Sequence, residues 1–266
     1  MSDASQEGFP AFLLPAARAE KFDFRERDFQ SGDFRISHVL TQTFSILRRH
    51  LLPFLLLYCV ASLLLNVPLA FTDHDSPVAD IAVACVISQA LFMVFNAFAG
   101  TAVVYAAIDD MRGRPVDMTA ALRVALRCFF PVLCVTAAAV ALAIIGLVLI
   151  IPAAIAITVL FVVVPVCVVE GLGPLDSMRR SAKLTKGYRG RIFALWFATL
   201  MTEIIVQIAL DQVTEPFGIF ALILAPQVAW DVIIGAFAVI LTAVTYRALR
   251  VTKEGVEEDH LAKVFD

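Results

Sequence analysis

Five polar side chains interrupt otherwise apolar runs in the last third of the chain: Glu203, Gln207 and Asp211, then Gln227 and Asp231. Each set steps by four residues, which places its members on one face of a helix. Carboxylates in apolar surroundings are costly, and such groups are functional candidates by default. The chemistry they suit is a polar cavity, or a track for protons or cations with Glu203 as its titrating group. They equally suit a plainer role, hydrogen bonding between helices as packing contacts. No Lys or Arg occurs in 192–246. Glu203 must therefore be protonated, hydrogen-bonded to a glutamine, or wetted from outside. Gln89 and Asn96, seven residues apart, make a further polar face.

A second group is cationic. Arg179, Arg180, Lys183, Lys186, Arg189 and Arg191 crowd the stretch CVVEGLGPLDSMRRSAKLTKGYRGR, Cys167 to Arg191. Pro174 suits the first turn of a helix and Gly187 its C-terminal cap. Leu175, Met178, Ala182 and Thr185 follow three- and four-residue steps and form a stripe. Arg179, Lys183 and Lys186 lie to one side of it and Arg180 lies further round. Such a helix can rest in a membrane interface, apolar face down, with its cations toward lipid phosphates. Arg179, Arg180, Lys183 and Lys186 are the candidate contacts to lipid head groups, anionic ones above all.

Other chemistry is missing from the sequence. The five cysteines (Cys59, Cys85, Cys128, Cys134, Cys167) form no CxxC and no zinc-type spacing, and read as small buried hydrophobes. His74 sits in DHD with Asp80 nearby, a weak metal pattern that reads better as a solvated loop. GxxxxGK[ST], HExxH, GxSxG and GxGxxG do not occur. The expectation is a protein that is not an enzyme, with no cofactor, no metal and no nucleic-acid partner.

The elements that must position these residues follow from composition. The chain has 266 residues, 60% hydrophobic and 17% charged. Soluble domains are about 45–50% apolar and about 25% charged. Lys and Arg are absent from 51–111, from 128–178 and from 192–246. A bilayer core about 30 Å thick needs about 20 helical residues to cross it. Leu51–Phe71, Ile81–Ile108, Ile192–Leu210 and Phe217–Tyr246 each supply enough. Phe129–Val169, at about 60 Å of helix, supplies two crossings. Their break belongs near Gly146 to Pro152, since proline cannot continue a helix ladder. Isolated strands are excluded at this depth because their backbone groups would go unpaired.

The fold expected is all-α and polytopic, with six transmembrane helices over about 51–71, 81–108, 129–149, 152–169, 192–210 and 226–248. Residues 34–250 form that domain, between a flexible tail over 1–33 and a second tail over 251–266. With the N-terminus inside, every Lys and Arg falls on the cytoplasmic side: seven in 1–50, four after span 2, six after span 4 and four at the C-terminus. The opposite loops, TDHDSPVAD and DQVTEP, are acidic. This is the positive-inside pattern, with both termini cytoplasmic. The first 33 residues lack a basic n-region and do not read as a signal peptide. Their FDFRERDF segment, 22–29, reads as disorder or as a docked segment.

Each odd-numbered span follows a basic, helix-compatible segment: TFSILRRHLLPFL (43–55), ALRVALRCFFPVL (121–133) and GPLDSMRRSAKLTKG. The first two match Arg49 with Arg127, Pro53 with Pro131 and Leu55 with Leu133. The expectation is three units, each an interfacial amphipathic helix followed by a transmembrane hairpin.

VVEGLGPLDSMRRSAKLTKGYRGRIFAL, residues 168–195, resembles bacterial integral membrane proteins related to the membrane domain of glycerophosphoryl diester phosphodiesterases. The elements that carry it are Glu170-Gly171, Arg180-Ser181 and Leu184-Thr185-Lys186-Gly187. FRISHVLTQTFSILRRHLLPF, 34–54, resembles the opening of that group. The resemblance implies a multi-pass protein of the bacterial inner membrane, without the soluble phosphodiesterase barrel. Two functions remain in view. One is a non-enzymatic scaffold or lipid- or envelope-associated factor. The other is a transporter of a small solute or lipid that uses the Glu203 and Asp231 region.

Overall fold

The computed structural model describes residues 34–70, 78–147, 150–214 and 220–265, and everything below concerns these. The tail segments FPAFLLPAA and FDFRERDF, and His74 with its DHD neighbours, lie outside the described residues. Among the described residues the chain is helical and has no strand. The helices are α1 (Ile36–Arg49), α2 (Leu51–Ala70), α3 (Val78–Met111), α4 (Met118–Leu147), α5 (Ile150–Leu160), α6 (Val163–Glu170), α7 (Pro174–Thr185), α8 (Arg189–Thr214) and α9 (Phe220–Phe265).

Four segments are long and apolar enough to cross a membrane: Ala82–Met111, Met118–Ala141, Arg189–Val213 and Ala225–Glu254. The bent pair Ile36–Arg49 and Leu51–Leu63 brings the number to five if it counts as one span. By length and composition this is a multi-pass helical membrane protein. Large apolar side chains face outward along the helices, as a lipid-facing surface requires. On α2 the exposed Leu52, Leu56, Val60 and Leu63 recur at four- and three-residue steps and so form one stripe.

The bend between α1 and α2 is 90° and falls at His50, whose backbone leaves the helical region. α1 buries Val39, Thr43, Ile46 and Leu47 and packs mainly on α9. Arg191 donates from Nη1 to the Phe34 carbonyl at 2.6 Å, fastening the start of α1 to the start of α8.

The structure differs from the expectation at two places. The segment 121–133 is not a separate helix, because α4 runs unbroken from Met118 past Pro131. Its start is instead capped by Asp117, which accepts from the Thr119 hydroxyl at 2.7 Å and the Thr119 amide at 2.9 Å. The Thr119 hydroxyl and the amides of Thr119 and Ala120 hold the Asp117 carboxyl below its usual range. A lowered value means that this contribution is full above the ordinary carboxylate range and fades as pH falls through the lowered one. The second difference is in 152–169. Helix is interrupted at Phe161–Val162, dividing α5 from α6. Pro165 accounts for it: its ring has no N–H to give the Phe161 carbonyl and crowds that group.

The core lies toward the end of the bundle that carries the basic residues. α9 sits at its centre and touches α1, α2, α3, α6, α7 and α8. Small side chains on α3 (Ala99, Ala102, Ala106, Ala107) and on α9 (Ala236, Ala243) are fully buried there. They let the backbones approach closely, which is how helices associate where lipid is as apolar as leucine. At Gly235 the approach leaves no room: a Cβ would lie 2.7 Å from Cδ1 and 2.9 Å from Cε1 of Tyr58. Gly235→Val should therefore destabilise the folded protein by about 1–3 kcal/mol through overpacking. Gly100→Ala, whose added carbon meets its nearest neighbour at 3.6 Å, should be close to neutral. Unfolding in detergent, followed by near-ultraviolet circular dichroism, compares the two.

Candidate functional site

The structure brings all five intramembrane candidates into hydrogen bonds between α8 and α9. Gln207 Nε2 donates to Asp231 Oδ1 at 3.0 Å and, at 3.5 Å, to Glu203 Oε1 on its own helix. Gln227 Nε2 donates to Asp211 Oδ1 at 2.8 Å. The four-residue steps explain the pattern, since α8 and α9 each present one polar face and the two faces meet.

Two members were missed by the sequence reading. Trp230 Nε1 donates to Glu203 Oε2 at 3.0 Å, and Ser62 of α2 donates to Asp231 Oδ2 at 3.2 Å. Both residue types are commonplace in apolar helices, and neither spacing marks them. Of the three alternatives for Glu203, hydrogen bonding to glutamine is the one observed, with an indole added. Nearby, the Tyr58 hydroxyl donates to Asn96 Oδ1 at 3.1 Å, so Asn96 binds α2 to α3. Gln89 is exposed and takes no part in that contact.

The second region is α7. Gly171, in the left-handed conformation at φ +62°, ends α6. Pro174 occupies the first turn of α7, and Gly187 at φ +94° follows its end. The face that α7 buries in the protein is distinct from most of the apolar stripe of Leu175, Met178, Ala182 and Thr185. It is Ser177, Ser181, Leu184 and Thr185, while Leu175 is 71% exposed. The reason is a backbone carbonyl in need of a donor. Ser181 Oγ donates to the Val159 carbonyl at 2.6 Å, in the last turn of α5 just before the Phe161–Val162 interruption. Ser177 Oγ donates to the Leu172 carbonyl at 3.2 Å. Freed backbone groups at membrane depth are commonly satisfied by such hydroxyls. The sequence signal was present as two serines four residues apart, a pairing of small residues that permits close packing.

The four candidate cations of α7 divide accordingly. Arg179, Lys183 and Lys186 are exposed, and Arg179 lies 3.5 Å from Asp176. Arg180 turns inward. Its Nε donates to Glu170 Oε1 and Oε2 at 3.2 and 3.0 Å, and its Nη2 donates to Glu254. Glu254 also accepts from Arg250 Nε at 2.6 Å, and Glu170 accepts from the Tyr246 hydroxyl at 3.0 Å. Burial works against the Arg180 charge, yet Glu170 and Glu254 outweigh it and hold the guanidinium above its ordinary value. The network joins α6, α7 and α9. A comparable junction ties the α1–α2 bend to α3, where Asp110 accepts from Arg49 Nη1 at 3.0 and 3.1 Å and lies 2.9 Å from His50 Nε2.

Of the cysteines, Cys167 is buried, whereas Cys85 and Cys134 are exposed on the bundle surface. That corrects the expectation of buried thiols: a surface bathed in lipid is apolar, and a small apolar side chain gains nothing there from protein burial. Among the described residues, no group of three or more His, Cys, Asp or Glu side chains is arranged to hold a metal ion. Comparison of the chain with protein-family models, with curated proteins and with solved structures finds no match.

Two predictions follow from these contacts. In a double-mutant cycle, Ser62→Ala and Asp231→Ala should show a coupling of about 0.6 kcal/mol, the average for interhelical hydrogen bonds in membranes. Equilibrium unfolding in mixed micelles measures it, and additive effects would remove that bond from the account. Separately, Arg180→Gln should lower stability by about 1 kcal/mol or more, because two carboxylates lose a charged donor. Arg179→Gln, at an exposed pair, should have little effect.

Proposed function

We propose that the chain is a six-span integral protein of the bacterial inner membrane, non-enzymatic, and acts as a scaffold or as a lipid- or envelope-associated factor. The six crossings are α2, α3, α4, the α5–α6 pair, α8 and the membrane-spanning part of α9. α1 and α7 are the amphipathic helices at the cytoplasmic surface, and both termini are cytoplasmic. The one-sided distribution of all 21 Lys and Arg supports this topology. The resemblance of residues 168–195 to stand-alone membrane proteins without a phosphodiesterase barrel is consistent with it.

The observation that carries the functional reading is the state of the intramembrane carboxylates. Glu203 and Asp231 each accept hydrogen bonds from side chains, and Asp231 is held from two other helices, α8 and α2. Carboxylates engaged in this way act as packing contacts that join three helices. The exposed Arg179, Lys183 and Lys186 supply the lipid-facing part of the role, through attraction to anionic phosphates of the cytoplasmic leaflet.

Proteoliposomes loaded with a pH-sensitive dye test this reading. No proton flux should distinguish the wild type from Glu203→Gln, and both should fold equally well. A flux that Glu203→Gln abolishes would establish the transporter instead. Reporter fusions check the topology independently: alkaline phosphatase should be active after residue 75 or 216 and inactive after residue 114, 187 or 266.

A further inference from the structure

The outer face of α1 carries an open recess of about 490 Å3, lined by Thr41, Phe44, Ser45, Arg48 and Arg49. Thr41, Phe44, Ser45 and Arg48 follow three- and four-residue steps and so share one face of the helix. We propose that this recess binds the head group of an anionic phospholipid from the cytoplasmic leaflet.

Three observations converge on that occupant. The first is the lining, which joins two hydroxyls and two guanidiniums to one aromatic ring. Guanidiniums pair with phosphate oxygens through parallel hydrogen bonds; the Ser45 hydroxyl suits the glycerol part, and that of Thr41, which donates to the Ser37 carbonyl at 2.9 Å, can accept from it. The second is the apolar side. Phe44 is 61% exposed and stacks obliquely on Phe237 of α9, with ring centroids 5.0 Å apart. Beyond the bend, Leu52 is 70% exposed and begins the lipid-facing stripe of α2. An acyl chain leaving the recess therefore has an apolar path to follow. The third is orientation: the 90° bend turns α1 across the direction of α2, which on the topology proposed above lays it along the membrane surface. Arg49 is held by Asp110 at 3.0 Å yet keeps 60% of its side chain exposed, so it is oriented without being enclosed.

The site is separate from the cations of α7, but its cytoplasmic placement rests on the topology proposed above. Its test does not. Full-length protein is placed in nanodiscs of phosphatidylcholine with a minor share of phosphatidylglycerol, and native mass spectrometry counts the lipids that survive release. Wild type should retain phosphatidylglycerol over phosphatidylcholine. Arg48→Gln should reduce that retention about fivefold, the effect of one interfacial cation. Arg48→Lys should keep most of it. Equal retention of the two lipids by the wild type overturns the proposal. So does full retention by Arg48→Gln in protein that unfolds at the wild-type temperature. Nanodiscs present both leaflets, so a failure here leaves the topology standing, and a failed fusion map leaves this result standing.

Discussion

Tyr58 lies with its ring against the backbone of Gly235, and the rest of the bundle is arranged about that contact. It brings α2 onto α9 at a separation that a side chain at 235 would prevent. One turn further along α2, Ser62 then reaches Asp231, and the Tyr58 hydroxyl reaches Asn96 on α3. Three helices are thus brought into register by one missing Cβ. In lipid, where apolar surface has nothing to gain by leaving its surroundings, close packing and hydrogen bonds carry the association. The alanines of α3 and α9 extend the same device toward the basic end.

At that end the bundle is held differently. Glu170, Arg180, Glu254, Arg250 and Tyr246 join α6, α7 and α9, while Arg49, His50 and Asp110 join the α1–α2 bend to α3. Charged pairs are usable here because burial is partial. Deeper in, the protein uses neutral donors to carboxylates: Gln207, Ser62 and Trp230. The gradient from ion pairs to amide and hydroxyl contacts follows the fall in polarity along the bundle.

The two amphipathic helices illustrate how function and packing share residues. α7 was readable as a capped helix from Pro174 and Gly187, and its cations were readable as a group. Which face docks was not. Docking is decided by the Val159 carbonyl, which lies near a helix interruption twenty-two residues before Ser181. The sequence grouped Arg180 with Arg179 as a head-group contact, although further round the helix, yet Arg180 enters an ionic network and Arg179 stays exposed. α1 presented the reverse case: a basic segment before an apolar run became a separate helix at 90° to α2.

The sequence by itself determined that this chain is helical and multi-pass, with its cations gathered between apolar runs. Those properties are local sums: apolar length against bilayer thickness, backbone groups that must pair within their own helix, and a count of cations between runs. Four-residue spacing also placed Glu203, Gln207 and Asp211 on one face, and Gln227 and Asp231 on another. Only the tertiary structure decided that these faces meet, that Trp230 and Ser62 complete them, and that Ser177, Ser181 and Leu184 seat α7. Each of those contacts joins residues far apart in the chain, such as Ser62 and Asp231 at a separation of 169 positions. Periodicity carries no information about a partner on another helix, because the partner is selected by backbone approach, and that approach is set by small residues such as Gly235.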